Sequence, residues 1–443
     1  MSETRIVRVH ARRVWDSRGR PTLEAEITLA GGAAGRAIAP AGASRGSREA
    51  IDLRDGGASF GGLDVQCAIA AVEGPIASAL NGRDALDQAA IDATLVEADG
   101  TPDKSRLGGN ATVAVSLAVA HSAAAAGRMP LWRYWAGDRA ATLPLPEIQI
   151  FGGGAHAGRR IDVQDLMVMP VGATSFGEAL AMVAEIYRAA GALMQEAGRL
   201  VGVADEGGYW PLFDSNEDAL TMLVRAIERA GFRPGVDAAL SLDIAASEFG
   251  RDGVYRLALD ERTLDGDGLA EILLGWIERY PIASIEDPFG EDDPKSWMRF
   301  TAAVGARVQI IGDDLLTTDA ARVVAAAADG ACNAVLIKPN QAGTVSEARA
   351  ALDAAQRADF GTIVSARSGE TEDISIAHLA VGWNAGQLKV GAFSRGERMA
   401  KWNEVLRIEE ALGARARYVG SAALGMGRAE RRVESDAASP RTT

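Results

Sequence analysis

Residues 308–338 read VQIIGDDLLTTDAARVVAAAADGACNAVLIK, and this stretch decides the fold. The apolar run Val308 to Ile311 ends in Gly312-Asp313, and the Ala-rich segment Ala320 to Ala328 has the composition of a helix. A second apolar run, Ala334 to Ile337, then ends in Lys338. The pattern is strand, helix, strand, and each strand finishes on a charge.

The same arrangement recurs on both sides. Upstream lie Leu240-Ser241-Leu242-Asp243 and Ile282-Ala283-Ser284-Ile285-Glu286; downstream lie Thr362-Ile363-Val364-Ser365-Ala366-Arg367 and Gln387-Leu388-Lys389. From Glu286 onward the charged ends fall 22 to 29 residues apart, the length of a strand plus a crossover helix. A second Ala-rich helical stretch, Val345 to Ala355, fills one of these intervals. Repeated units of this kind close into a barrel with every strand C-terminus on one face, where barrel active sites are built. The ladder therefore predicts an α/β barrel with three carboxylates, two lysines and an arginine around one mouth.

At 443 residues the chain has room for a barrel and a smaller domain. Ile6 to Val14 and Leu23 to Leu29 alternate like strands around the turn Asp16-Ser17-Arg18-Gly19-Arg20-Pro21, which predicts a β-hairpin opening an α+β domain completed by the helix Ala111 to Ala126. The prolines of Leu143-Pro144-Leu145-Pro146 break regular structure, so the expected division is an N-terminal domain over 1–142 and a barrel over 143–426. The polar segment 427–443 is expected to be a flexible tail.

Composition narrows the function classes. A net charge of −14 argues against a nucleic-acid partner. Cys67 and Cys332 are the only cysteines, which argues against a disulfide framework or a thiolate metal cluster. Neither a secretory leader nor a membrane span is legible, and a cytoplasmic protein is expected.

A family resemblance now covers roughly Arg5 to Gly420. Asp16-Ser17-Arg18-Gly19, Gly42-Ala43-Ser44, Asp205-Glu206-Gly207-Gly208, Ser284-Ile285-Glu286-Asp287-Pro288, Gly312-Asp313-Asp314-Leu315, Lys338 with Asn340-Gln341, Arg367-Ser368-Gly369-Glu370 and Arg407-Ile408-Glu409-Glu410 together resemble enolase in order and spacing. The resemblance implies a TIM-barrel-type C-terminal domain behind a smaller α+β domain. It also implies abstraction of the proton α to a carboxylate by a lysine working with Mg²⁺, followed by loss of a β-hydroxyl, as in enolase-superfamily sites generally.

By that resemblance Asp243, Glu286 and Asp313 would hold the first Mg²⁺, an all-oxygen set suited to a hard cation. Ser44, on a Gly/Ala/Ser lid, would bind a second, substrate-linked Mg²⁺. Lys338 would be the general base, its pKa lowered by Mg²⁺ and by Lys389, and Lys389 would neutralise the substrate carboxylate. Glu206 would protonate the departing hydroxyl, with Gln164, Asp165 and His156 beside it. Arg367 and Ser368 would bind phosphate. The implied partner is a small phosphorylated carboxylate, and the implied assembly is a homodimer or a larger homo-oligomer.

The departures from the family pattern are also local. Asp165 stands where enolases carry glutamate, Ala366 where they carry histidine, Arg45 where the lid has threonine, and Gly152 and Ala155 where the second loop has asparagine and glutamate. Arg45 adds a cation beside the lid and Ala366 removes a ring, which would admit a larger or more anionic substrate. Two enzyme readings follow: a 2-phosphoglycerate enolase, or a paralogue making a carboxyphosphonoenolpyruvate-type product in phosphonate or phosphinate biosynthesis. A non-catalytic enolase-like binding protein is the reading from another class, and retention of Lys338, Lys389, Glu206 and the three acids argues against it.

Overall fold

The computed structural model describes residues 2–425, so the tail expected over 427–443 lies outside the described residues. Strands β1 (Ile6–Trp15), β2 (Pro21–Leu29) and β3 (Ala34–Ile38) form an antiparallel sheet. The turn between β1 and β2 is built by Asp16, whose carboxylate accepts from Arg18 N at 2.8 Å and Arg20 N at 2.9 Å while Gly19 takes the left-handed φ of 71°. Helix Gly109–Ala126 crosses this sheet and is buried along almost its whole length, which is why its sequence is small and apolar on every face. Gly35 permits the approach, because a Cβ there would stand 2.2 Å from Ser122 N.

The barrel is closed by β4 (Leu145–Gly152), β5 (Asp165–Met169), β6 (Ala239–Asp243) and, after a small antiparallel sheet of β7 (Gly250–Arg251), β8 (Val254–Leu257) and β9 (Arg262–Asp265), by β10 (Ile282–Glu286), β11 (Gln309–Gly312), β12 (Ala334–Ile337), β13 (Gly361–Ser365) and β14 (Gln387–Ala392). Its strands are buried on both faces, as their largely apolar runs demand.

Three details correct the sequence reading. Strand β5 runs antiparallel to β4 and β6. The connection 153–164 holds no crossover helix, so the chain doubles back and presents the N-terminus of β5, at Asp165, to the mouth. Pro146 does not end regular structure but sits inside β4, paired with Leu388. Lys389 does not end its strand; β14 continues to Ala392.

Helix Ala320–Asp329 is capped by Asp319, which accepts from Ala321 N and Arg322 N, and Gly330 ends it with φ of 65°. Helix Val345–Arg357 is capped by Thr344: Glu347 N donates to Thr344 Oγ1 at 3.2 Å, and Thr344 Oγ1 donates to Glu347 Oε2 at 2.7 Å. These caps fix the loops that follow Asp313 and Lys338.

Below the mouth the barrel interior carries a polar layer. Gln387 Nε2 donates to Glu147 Oε1 at 2.6 Å, Gln309 Nε2 to Gln387 Oε1 at 2.8 Å, and Ser284 Oγ to Gln309 Oε1 at 3.2 Å. Among the described residues, the buried Glu147 Oε2 has no hydrogen-bond partner. Burial lifts the Glu147 carboxyl to about 7; Lys389 opposes the rise, while Asp243 and Asp165 add to it.

Candidate active site

One pocket at the mouth is lined by Ser44, His156, Gln164, Asp165, Glu206, Asp243, Lys338, Ala366, Arg367, Ser368 and Lys389 among others. These side chains come from both domains. A more spacious cleft of about 540 Å³ near Arg36, His121, Asp373 and His378 holds none of the candidate site residues.

Lys389 joins the acids. Its Nζ lies 2.7 Å from Glu286 Oε2, 2.9 Å from Asp243 Oδ2 and 3.4 Å from Asp165 Oδ2. Burial would strip its charge, but Asp243, Glu286 and Asp165 outweigh burial and hold the ammonium well above the ordinary lysine range. Lys338 Nζ donates to Asp313 Oδ2, and Gln341 Nε2 donates to Asp313 Oδ1 at 2.9 Å. Burial lowers the Lys338 pKa and Asp313 more than restores it, so the net direction is upward. The nearest strong charge to Lys338 is the Asp313 carboxylate, and it sets that direction.

The three acids suit a divalent cation in their chemistry. All are buried oxygen donors, and Glu286 Oε1 has no hydrogen-bond partner among the described residues. Burial, then Asp243 and Asp313, push Glu286 well above the carboxylate range, the sign of a cluster short of positive charge. Their oxygens are not drawn together. Among the described residues the groups with ligand atoms all within 4.8 Å are His156–Asp165–Glu206 and Asp287–Asp313–Asp314. Asp287 serves the backbone, accepting from Asp313 N and Asp314 N at 2.8 Å each and so fixing the turn after β11.

The hairpin between β4 and β5 brings His156 over Asp165. His156 Nδ1 is 3.0 Å from Asp165 Oδ1, and its Nε2 is 3.0 Å from Ser368 Oγ and 3.8 Å from Glu206 Oε1. Burial opposes a charge on the ring, but Asp165 and Glu206 together raise its pKa to about 9. Asp165 is held below the ordinary range despite burial, by His156 and Lys389. Gln164 Nε2 donates to Asp243 Oδ2 at 3.1 Å and to Ser44 Oγ at 3.4 Å, which puts the lid serine beside the acids.

Arg367 is buried and paired with Glu49 of the lid, donating to Oε2 at 2.9 Å and to Oε1 at 3.1 Å, and it also donates to the Ser44 carbonyl at 3.0 Å. Arg45 stands apart: it does not line the pocket, and its guanidinium donates to the Ala50 carbonyl at 3.3 Å and lies 3.9 Å from Glu49. Ala366 does line the pocket. Sequence reasoning missed Glu49, Gln149 and Arg398. Arg398, fully buried, donates to the carbonyls of Arg367 and Ser368 at 2.6 Å each and of Val390 at 2.9 Å, pinning β13 to β14. Arg398 lies in a charged stretch and Gln149 is a single polar residue between Ile148 and Ile150, so neither gives a periodic signal; Glu49, five residues beyond Ser44, was within reach of the lid motif.

Residues 140–426 match the family described as "Enolase, C-terminal TIM barrel domain", and residues 6–135 match "Enolase, N-terminal domain". The chain belongs to the enolase family. It is also 48% identical, over 421 residues, to "Enolase 1" of Desulfitobacterium hafniense (strain Y51), a match that covers 94% of this chain and 96% of that protein. This enolase-family chain is an enolase-type lyase, and its eight-stranded barrel behind a smaller domain is the architecture those families describe. Among the described residues no helix is long and apolar enough to cross a membrane.

Proposed function

We propose that this lyase is a Mg²⁺-dependent enolase that dehydrates 2-phosphoglycerate to phosphoenolpyruvate. The observation that carries the reading is that Lys338, Glu206, Lys389, Arg367 and Ser368 line a single buried pocket. A base, an acid, a carboxylate partner and a phosphate partner are the four things this substrate requires.

Lys338 takes the proton from the carbon next to the carboxylate, and its deprotonated amine is the form that acts. The electron pair left behind is first held on the carboxylate, whose growing charge faces Lys389. It then forms the carbon–carbon double bond as the β-carbon–oxygen bond breaks. Glu206 gives its proton to the departing oxygen, which leaves as water. His156, charged in the neutral range by Asp165, holds Ser368 beside the phosphate, and Arg367 forks onto the phosphate oxygens. Asp243, Glu286 and Asp313 would hold one Mg²⁺ and Ser44 would help hold a second, and the bound ions would supply positive charge for the substrate carboxylate. We further read the protein as a cytoplasmic homodimer or higher homo-oligomer.

A second reading, a paralogue for a larger phosphono or phosphino acid, is favoured by the small Ala366 side chain in the pocket lining. Arg45, turned away from the pocket, lends it no support. The test is the initial rate of phosphoenolpyruvate formation from 2-phosphoglycerate with Mg²⁺, against a Lys338→Ala blank. Turnover on the order of 10 per second or above supports the first reading. A rate equal to the blank rejects it and sends the search to more anionic substrates.

A further inference from the structure

Gln149 lies on β4 with its side chain fully buried. Its carboxamide works in two directions: Nε2 donates to Asp165 Oδ1, and Oε1 accepts from Gly208 N at 2.8 Å. Asp165 Oδ1 is the same oxygen that meets His156, and Gly208 is two residues beyond Glu206. One carboxamide therefore ties the His156–Asp165 pair to the loop that carries Glu206. The far side of that loop is held at the Gly207 carbonyl, which accepts from Tyr187 Oη at 2.6 Å and Ser394 Oγ at 2.7 Å.

Room for the carboxamide comes from glycine on both flanks. A Cβ at Gly208 would stand 2.5 Å from Gln149 Oε1, and one at Gly152 would stand 3.1 Å from the same atom and 2.7 Å from Ala204 Cβ. Gly152 and Asp165 are two of the positions where this chain departs from the enolase pattern, in each case toward a shorter side chain. Both shortened positions face Gln149.

We propose that Gln149 is a positioning residue and that Gln149, Gly152 and Asp165 form one length-compensated unit: the carboxamide occupies space that Gly152 leaves and reaches the carboxylate that Asp165 carries one methylene further back. The inference rests on the proposed role of Glu206, His156 and Asp165 in handling the leaving hydroxyl. It assigns two of the family departures to support of that machinery, with no part in choosing the substrate.

The experiment is a rescue cycle in the full-length protein with Gln149→Asn, Asp165→Glu and the double variant, read by kcat and KM separately and by thermal midpoint. Moving a methylene from one side of the hydrogen bond to the other preserves its span. Each single change breaks the contact and lowers kcat about 10-fold or more with KM little altered, while the double variant recovers most of the loss. Gln149→Glu, which keeps the shape but sets an acceptor against Asp165, also loses kcat and is not rescued by Asp165→Glu. A double variant no better than the product of its singles overturns the proposal. If the wild-type protein shows no turnover of 2-phosphoglycerate, the functional reading falls and the thermal midpoints alone decide: recovery in the double variant upholds the unit, and additive losses refute it.

Discussion

Glu147→Gln should make the protein more stable, and increasingly so as the pH rises. The carboxyl is fully buried in the barrel and its pKa is lifted from 4.5 to about 7. A group whose folded pKa is raised lends stability fully present below its unfolded value and lost as the pH climbs through the folded value. For Glu147 that window runs from about 4.5 to about 7. At about 1.4 kcal/mol per pH unit, the wild-type protein loses about 3 kcal/mol across it. Glutamine does not ionise. It retains the acceptor that Gln387 uses at 2.6 Å, and its amide nitrogen replaces Oε2, which has no hydrogen-bond partner among the described residues. With an unfolding entropy of about 2.1 cal/mol/K per residue, a chain of this size converts that energy into about 3–4 °C. Thermal melts of both proteins at pH 4 and pH 8 measure it: the variant's advantage in midpoint should grow by that amount between the two. A difference that stays constant with pH would show that Glu147 ionises as an ordinary carboxylate and refute the reasoning.

Arg367→Lys should raise KM for 2-phosphoglycerate by about 10-fold or more, since a point charge replaces two forked contacts in a buried site; an unchanged KM would remove Arg367 from phosphate binding. The His156 imidazole should titrate near 9 by NMR and fall toward its ordinary 6.5 in Asp165→Asn. The stability its charge provides is complete below about 6.5 and disappears as pH rises through about 9, so the gap in melting midpoint between the wild-type protein and Asp165→Asn should narrow over that interval. Chelation of divalent cations with EDTA should abolish turnover, and Mg²⁺ should restore it; full activity in EDTA would contradict the oxygen-only reading of Asp243, Glu286 and Asp313.

The strands ending at Asp243, Glu286, Asp313 and Lys338 were legible because a strand buried on both faces has to be written as an apolar run, and the charge that follows has no other place to point than the mouth. Strands β4 and β5 were not legible. Pro146 reads as a breaker, yet it tolerates a strand position; and the direction of β5 depends on a short connection whose hairpin is set by Gly153, Gly154 and Gly158 rather than by any apolar period. The orientation of Arg45 and the pairing of Glu49 with Arg367 were hidden for a different reason. Both depend on how the lid seats against a domain hundreds of residues away, which local sequence does not encode.

The pocket draws on both domains: Ser44 and Glu49 come from the sheet-bearing N-terminal part, and Arg367, which they hold, comes from the barrel. A barrel separated from that part would keep the acids, the lysines and the Asn340 contact to Arg367, but would lose both Glu49 oxygens and the Ser44 carbonyl that hold the guanidinium, so each domain carries half of one site.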